Sequence, residues 1–165
     1  MRRTLREMAA EFRRHWPNYV WQSVLATLVL LLALVALRME HGVIVASLGA
    51  TAFIVFAMPD SLTAKPRNVV GGHVGGLLCG GLCSLAAGGL APGWALVAYA
   101  AAVGLSIFVM VVTDTEHPPA SGTALGIATV QSWRAFAPAA LAVVTGAVLL
   151  ALAHHLLKPY LRDLT

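Results

Sequence analysis

One short stretch of the sequence concentrates residues that can bind a solute or move a proton. It runs from Asp114 through Glu116 and His117 to two adjacent prolines, Pro118 and Pro119. Proline fits the first turn of a helix, where an amide hydrogen would have no partner within the helix. The sequence therefore predicts that a helix begins at these prolines, with its first free amides facing the loop before them.

The start of this predicted helix suits a small anion. A helix N-terminus carries a partial positive charge and unpaired N–H donors. Ser121 and Thr123 add hydroxyl groups on either side of Gly122. We expect an anion to bind here beside His117, which can hydrogen-bond to it or carry a proton near neutral pH.

The two carboxylates of the stretch oppose this interpretation in its simplest form. Asp114 and Glu116 would repel an anion bound next to them. We expect them instead to cap the helix, to pair with Arg67 or to accept protons. A pathway for protons or cations therefore remains an alternative.

A second group of polar residues surrounds the start of another apolar segment. Asp60 marks a turn, and Lys65 follows it before the segment begins. Lys65 and Arg67 either draw anions to a mouth of the protein or only fix its orientation in the membrane. Asn68 and His73 continue into the segment, where a histidine is costly unless it is hydrogen-bonded or lines a wet path. We expect both to contact the solute.

Small residues recur every four positions along the segment that carries His73, at Gly72, Gly76 and Gly80. Such a stripe lets a second helix approach the backbone closely. It fits central packing within one chain and also a seam between two copies. We expect a homo-oligomer, with a dimer as the first candidate.

Composition indicates what kind of protein carries these groups. Of the 165 residues, 59% are apolar and only 11% are charged, whereas soluble domains carry about 25% charged residues. The lipid bilayer is therefore the expected partner. The net charge of +4 comes largely from arginines near the N-terminus, a pattern that does not point to nucleic acid. We predict no enzyme, cofactor or metal site, because the sequence shows no nucleophile–base pair and no ligand cluster.

The hydropathy pattern divides the chain into an N-terminal segment over residues 1–16 and a transmembrane domain over 17–165. We expect the first segment to be an amphipathic helix lying at the membrane surface, with a frayed basic tail as the alternative. We predict an all-α protein with six apolar segments, of which the second and fifth are short or broken. The segments are 20–37, 42–58, 68–90, 94–113, 118–132 and 135–157.

Basic residues predict the orientation of these segments. If all six cross, more of the arginines and lysines lie on the cytoplasmic side than if the short segments are re-entrant. We therefore expect a protein of the inner (plasma) membrane with both termini in the cytoplasm.

The order long, short, long occurs twice along the chain. The run 49–52 in the first short segment resembles 122–125 in the second, and Pro66 and Pro138 stand near the starts of the long segments that follow. Three segments per half would give the halves opposite orientations. An inverted repeat with a short segment in each half indicates a transport site between them.

The chain resembles the HPP family of membrane proteins over about residues 20–158. The motifs that carry the resemblance occur in matching order: Ser47-Leu48-Gly49-Ala50-Thr51-Ala52, Pro59-Asp60-Ser61, Pro66-Arg67-Asn68, Gly71-Gly72-His73 and His117-Pro118-Pro119. The resemblance implies a transporter-like protein. Members from photosynthetic lineages are implicated in nitrite transport, larger members add a soluble CBS domain, and the family is usually described with four membrane helices.

These observations together predict a permease or channel for a small inorganic anion, with nitrite as the first candidate. A membrane scaffold or sensory subunit that transports nothing is the competing hypothesis, because glycine-rich packing suits an assembly partner equally well.

Overall fold

The computed structural model describes residues 4–38, 41–87 and 92–165, and the regular elements within them are helical. Two short 3₁₀ turns, Leu62–Ala64 and Lys158–Tyr160, accompany the α-helices. The α-helices are α1 (Leu5–Leu37), α2 (Gly42–Ala57), α3 (Pro66–Ala87), α4 (Pro92–Val112), α5 (Pro119–Ala128) and α6 (Trp133–Leu157).

Among the described residues, four helices are long and apolar enough to cross a membrane: α1, α3, α4 and α6. The predicted short segments correspond to α2 and α5. With 16 and 10 residues, both fall below the roughly 20 residues that a full crossing of the hydrocarbon core requires. The fold is that of a multi-pass membrane protein. The number of crossings, the orientation and the inverted repeat remain predictions.

The fifth segment is shorter than predicted, since α5 ends at Ala128 rather than near residue 132. The amide of Val130 bonds back only three residues, to the Ile127 carbonyl at 3.0 Å. The Thr129 hydroxyl donates a hydrogen bond to the Gly126 carbonyl at 2.7 Å, and the Ser84 hydroxyl donates one to the Val130 carbonyl. These side-chain hydrogen bonds use carbonyl groups that would accept backbone amides if the helix were longer. Residues 88–90 of the predicted third segment lie outside the described residues.

The predicted surface helix and first membrane segment are one continuous element. In α1 the backbone leaves helical geometry only at His15, two residues before Pro17. Proline lacks an amide hydrogen and crowds the preceding turn, so a kink is expected there. Thr4 and Glu7 form a capping box at the helix start. Arg2 and Arg3, two of the arginines near the N-terminus that contribute to the net charge, lie outside the described residues.

Successive helices run in opposite directions, so the first half of α1 and the residues after α6 come together at one end of the bundle. At this end, called the termini end below, the Gln22 amide group donates to the carbonyls of Phe56 at 2.5 Å and Arg162 at 2.9 Å. At the opposite end, called the far end, Thr129 lies 3.3 Å from His41. The polar loop before α5 belongs to the termini end.

The short helix α5 packs directly on the glycine face of α3. A Cβ atom built on Gly80 would lie 2.5 Å from the Ala124 carbonyl oxygen, and one on Gly76 would overlap the Ala120 carbonyl. A Cβ on Gly72 would lie 2.7 Å from the His117 Cβ. The stripe predicted from the sequence therefore packs against α5 within the chain, and the homo-oligomer remains a prediction.

Candidate functional site

The start of α5 does not present the bare amides that the sequence predicts. The Ala120 amide donates to the His117 carbonyl at 2.9 Å, and the Ser121 amide donates to the Pro118 carbonyl at 3.1 Å. Tight turns of this kind satisfy the first donors of a helix locally. An anion at this helix end would therefore have to displace existing hydrogen bonds.

The polar centre of the protein is instead a pair of histidines bridged by a hydroxyl. Thr51 Oγ1 lies 2.9 Å from His73 Nε2 and 2.9 Å from His117 Nε2. The two imidazole rings are 5.1 Å apart between centroids. All three side chains are fully buried, so their hydrogen bonds are made within the protein.

The pair continues in both directions as a line of short contacts. On one side, His117 Nδ1 lies 2.8 Å from the Thr63 carbonyl oxygen. On the other, His73 Nδ1 lies 2.8 Å from Thr123 Oγ1, which lies 2.8 Å from Ser47 Oγ. The line ends where Ser47 Oγ lies 2.6 Å from the Pro119 carbonyl oxygen. We call this line, from the Thr63 carbonyl through His117, Thr51, His73, Thr123 and Ser47 to the Pro119 carbonyl, the polar line.

Local sequence explains why these groups meet. Ser47 and Thr51 are four residues apart on α2 and so share one face of the helix. His73 is carried by α3, and the neighbouring Gly72 leaves room for the His117 Cβ and the Thr115 carbonyl oxygen. Gly122 does the same on α5, where an added Cβ would lie 3.3 Å from the Ser47 Cβ.

The carbonyl at each end of the polar line fixes how many protons it needs. A carbonyl oxygen only accepts, whereas a hydroxyl or a neutral imidazole donates one proton and accepts another. A line of such groups between two acceptors therefore needs one proton more than its neutral members carry. With both imidazoles neutral, one contact of the line has no proton.

The missing proton can be at either end without any heavy atom moving. In one arrangement His117 carries its proton on Nδ1 and His73 on Nε2, and the contact between Ser47 and Pro119 has none. In the reverse arrangement each imidazole carries its proton on the other nitrogen, and the contact between His117 and Thr63 has none. One extra proton completes every contact and connects the two arrangements. The Ser47 carbonyl, 3.0 Å from the Thr51 hydroxyl, competes for the Thr51 proton.

An extra proton on the polar line would place a positive charge in a buried region, where the charged state is destabilised. Burial lowers the pKa of His117, which precedes α5, although the hydrogen bond to Thr63 partly opposes this shift. Among the described residues, no carboxylate hydrogen-bonds to a side chain of the polar line. An uncompensated charge away from water is costly, so the charged state requires a nearby negative charge to persist.

The other predicted site residues lie at the termini end of the bundle rather than in the polar line. Arg67 pairs with Asp114 at 2.9 Å and also donates to the Thr113 carbonyl at 3.0 Å. Both side chains of the pair are largely exposed, at 65% and 79%. Asn68 donates to the backbone carbonyl of Glu116 at 3.2 Å. These bonds join the start of α3 to the loop before α5.

Four further predicted residues have no hydrogen bond to the polar line among the described residues. Lys65 is exposed, and Asp60 pairs with Lys158 at 3.4 Å. Pro118 is exposed at the helix start. Ser121 faces away from the polar line, toward Ser106 at 3.4 Å between hydroxyl oxygens.

The sequence reasoning assigned no role to Ser47 and Thr51. Neither is ionisable, and single hydroxyls are common in membrane helices, where they bond to their own backbone. A signal was present, since both fall in the run 47–52 that carries the family resemblance. Their spacing of four residues places both on the side of α2 that faces α5.

Comparison with known proteins places the chain in a family. A family model described as HPP, transmembrane region, matches residues 12–162. A transmembrane protein of Dictyostelium discoideum is 35% identical over 130 residues, which cover 75% of this chain and 45% of that protein. A second one from the same organism is 35% identical over 114 residues, covering 66% of this chain and 36% of the relative. The chain thus spans less than half the length of these curated relatives. No solved structure matches.

Proposed function

This chain belongs to the HPP family of membrane proteins, and we propose that it is a proton-linked permease for a small inorganic anion. The observation that carries the proposal is the polar line, which begins and ends on a carbonyl oxygen and so accommodates one extra proton. An ionisable group within a membrane bundle indicates a functional site by default. Here two such groups share the hydroxyl of Thr51.

The polar line supplies a route for the proton. A proton added at the contact between Ser47 and Pro119 completes the line, and a different proton then leaves from the contact between His117 and Thr63. The net result is transfer of one proton along the line, with each imidazole changing the nitrogen that carries hydrogen. The reverse sequence moves a proton in the opposite direction.

The cost of the charged state supports an anion as the partner solute. A proton and a monovalent anion that move together are electrically neutral, so the anion offsets the cost of burying the proton. At the termini end, the exposed Lys65 would attract anions, while the charge of Arg67 is paired with Asp114. Nitrite is the first candidate, since the family resemblance implies it.

Flux into proteoliposomes tests this proposal. Vesicles containing a pH-sensitive dye are given an inward gradient of nitrite, nitrate or formate, and internal acidification is compared with that of empty vesicles. One proton per anion predicts acidification that does not change when the membrane potential is clamped at different values. Flux that follows the potential would instead indicate a channel for the anion alone.

A pair of substitutions at Thr51 connects the flux to the polar line. Thr51→Val removes the bridging hydroxyl and should lower acidification at least about tenfold, whereas Thr51→Ser keeps the hydroxyl and should retain it. Thr27→Val is the matched control, because Thr27 is exposed and bonds only to the Ser23 carbonyl of its own helix. Equal flux in Thr51→Val and the wild type would refute the role of the line. Absence of any flux in the wild type would favour the scaffold hypothesis.

A further inference from the structure

The seam between α2 and α5 alternates polar and apolar contacts from one end of the bundle to the other. Ser47 meets Thr123 in the polar line at 2.8 Å. One turn nearer the far end, Ile44 packs against α5 so closely that a Cβ on Gly126 would lie 2.8 Å from its Cγ1. The next contact along the seam is polar again, between His41 Nε2 and Thr129 Oγ1 at 3.3 Å.

A cavity reaches this apolar contact from the far end. Its volume is about 150 Å³, and it lies between α1, α2 and α6. Arg38 and His41 give its wall polar groups, while Ile44, Pro138 and Ala139 give it apolar ones. His41 Nδ1 is buried and has no hydrogen-bond partner among the described residues.

Ile44 therefore stands between two polar regions. It lines the cavity on one side, and on the other it lies three residues from Ser47, the last side chain of the polar line. Its side chain is fully buried in a cluster with Ile127 and Val143. An apolar side chain at a constriction excludes water and ions until it moves.

We propose that the cavity at the far end is the second mouth of the transport path and that Ile44 is its gate. This inference rests on the proposed function, because it gives the polar line an exit on the side opposite Arg67. While Ile44 packs on Gly126, water and solute in the cavity are kept from Ser47. When Ile44 turns away, the cavity and the polar line become continuous.

Thiol accessibility tests the gate without requiring transport. Cys79 and Cys83 are first replaced by alanine, and a single reporter, Ser47→Cys or Ala139→Cys, is added in the full chain. A membrane-impermeant methanethiosulfonate is then applied to proteoliposomes from each side in turn. We expect Ala139→Cys to react from the side opposite the chain termini, and Ser47→Cys to react slowly from that side.

Substitution of Ile44 should change the labelling rate of Ser47→Cys and leave that of Ala139→Cys unchanged. Ile44→Ala should accelerate labelling of Ser47→Cys at least about tenfold, with Ile44→Val giving a smaller increase. Ile127→Ala is the matched control, since Ile127 is equally buried in the same cluster but does not line the cavity. Equal acceleration by Ile127→Ala would show general loosening and overturn the gate. Failure of Ala139→Cys to react would overturn the mouth.

The flux assay separates failure of this inference from failure of the proposed function. If labelling behaves as expected but no solute moves, Ile44 closes a hydrated path and the assignment of a permease is wrong. If the wild type carries solute but labelling does not respond to Ile44, the exit lies elsewhere. With both correct, Ile44→Ala should let anions cross without acidification.

Discussion

The two sides of α5 differ in what they bring to their neighbours. Toward α3, backbone lies against backbone, with Gly76 and Gly80 against the carbonyls of Ala120 and Ala124. Toward α2, hydroxyl groups meet, with Ser47 bonded to Thr123 and to the Pro119 carbonyl. The first side provides proximity and the second provides proton donors and acceptors.

This difference shows that the close packing of α5 on α3 is the condition for the hydrogen bonds of the polar line. His117 stands directly before α5, and it reaches His73 and Thr51 only because α3 lacks a side chain at Gly72. A helix of 10 residues cannot rely on length to hold its place in a bilayer. Its position is fixed by contact with α3, and the hydroxyls on its other side become aligned as a result.

The largest effect is expected from widening the packing seam. Gly76→Leu places a side chain against the Ala120 carbonyl, which is backbone and cannot turn aside, so it should cost more than the roughly 1–3 kcal/mol typical of overpacking. Gly104→Leu is the matched control on α4, because a Cβ there would meet nothing within 4 Å. Size-exclusion chromatography in detergent should show loss of the monodisperse protein for the first variant and not for the second. Two variants that elute alike would mean that the seam tolerates separation.

Removing a hydroxyl from the side of α5 that faces α2 should affect stability less than Gly76→Leu does, but it should have a large effect on flux. Thr123→Val keeps the shape of the side chain but removes the hydroxyl bonded to His73 and Ser47. Leaving a buried polar group unpaired costs about 1–3 kcal/mol, so the protein should still fold. Proton-linked flux should fall at least about tenfold, measured as acidification of loaded proteoliposomes. Full activity with an intact fold would exclude Thr123 from the proton route.

The exposed pair between Arg67 and Asp114 should matter less than either side of α5. Exposed ion pairs contribute about 0–1 kcal/mol, so Arg67→Gln should barely change the denaturation midpoint. If Arg67 acts by attracting anions, flux should fall a few-fold at low ionic strength and recover when salt screens the charge. A deficit that persists in high salt would instead indicate direct contact with the solute.

Sequence alone predicted much of this arrangement. Apolar length and the prolines placed all six helices, and spacing marked Gly72, Gly76 and Gly80 as a packing face. His73 was singled out because an ionisable group is costly inside an apolar bundle, and His117 because it directly precedes the two prolines that begin α5. The resemblance to the HPP family, carried by the motifs from Ser47 to Pro119, agrees with the family match.

What the sequence did not show depends on contacts between distant segments. Thr51 and His117 are 66 residues apart in the chain, and nothing local to either indicates that they meet. The paired amides at the start of α5 also depend on how the loop turns, which two prolines restrict but do not determine. That the glycine stripe of α3 faces α5 rather than a second copy of the chain could be seen only in the packed structure.

The smallest effect is expected from a glycine that belongs to neither side of α5. Gly104 is exposed on α4, so Gly104→Ala should change the free energy of unfolding by no more than about 1 kcal/mol, in the stabilising direction, because alanine has less backbone freedom to lose on forming a helix.

Because the α3 stripe is occupied within the chain, a dimer requires another face, and the face around Gly104 combines small and apolar residues. Light scattering in detergent on Gly104→Ala and the bulkier Gly104→Leu checks this. An unchanged mass for both would assign the face to lipid, whereas a halved mass for Gly104→Leu alone would identify it as a contact between subunits.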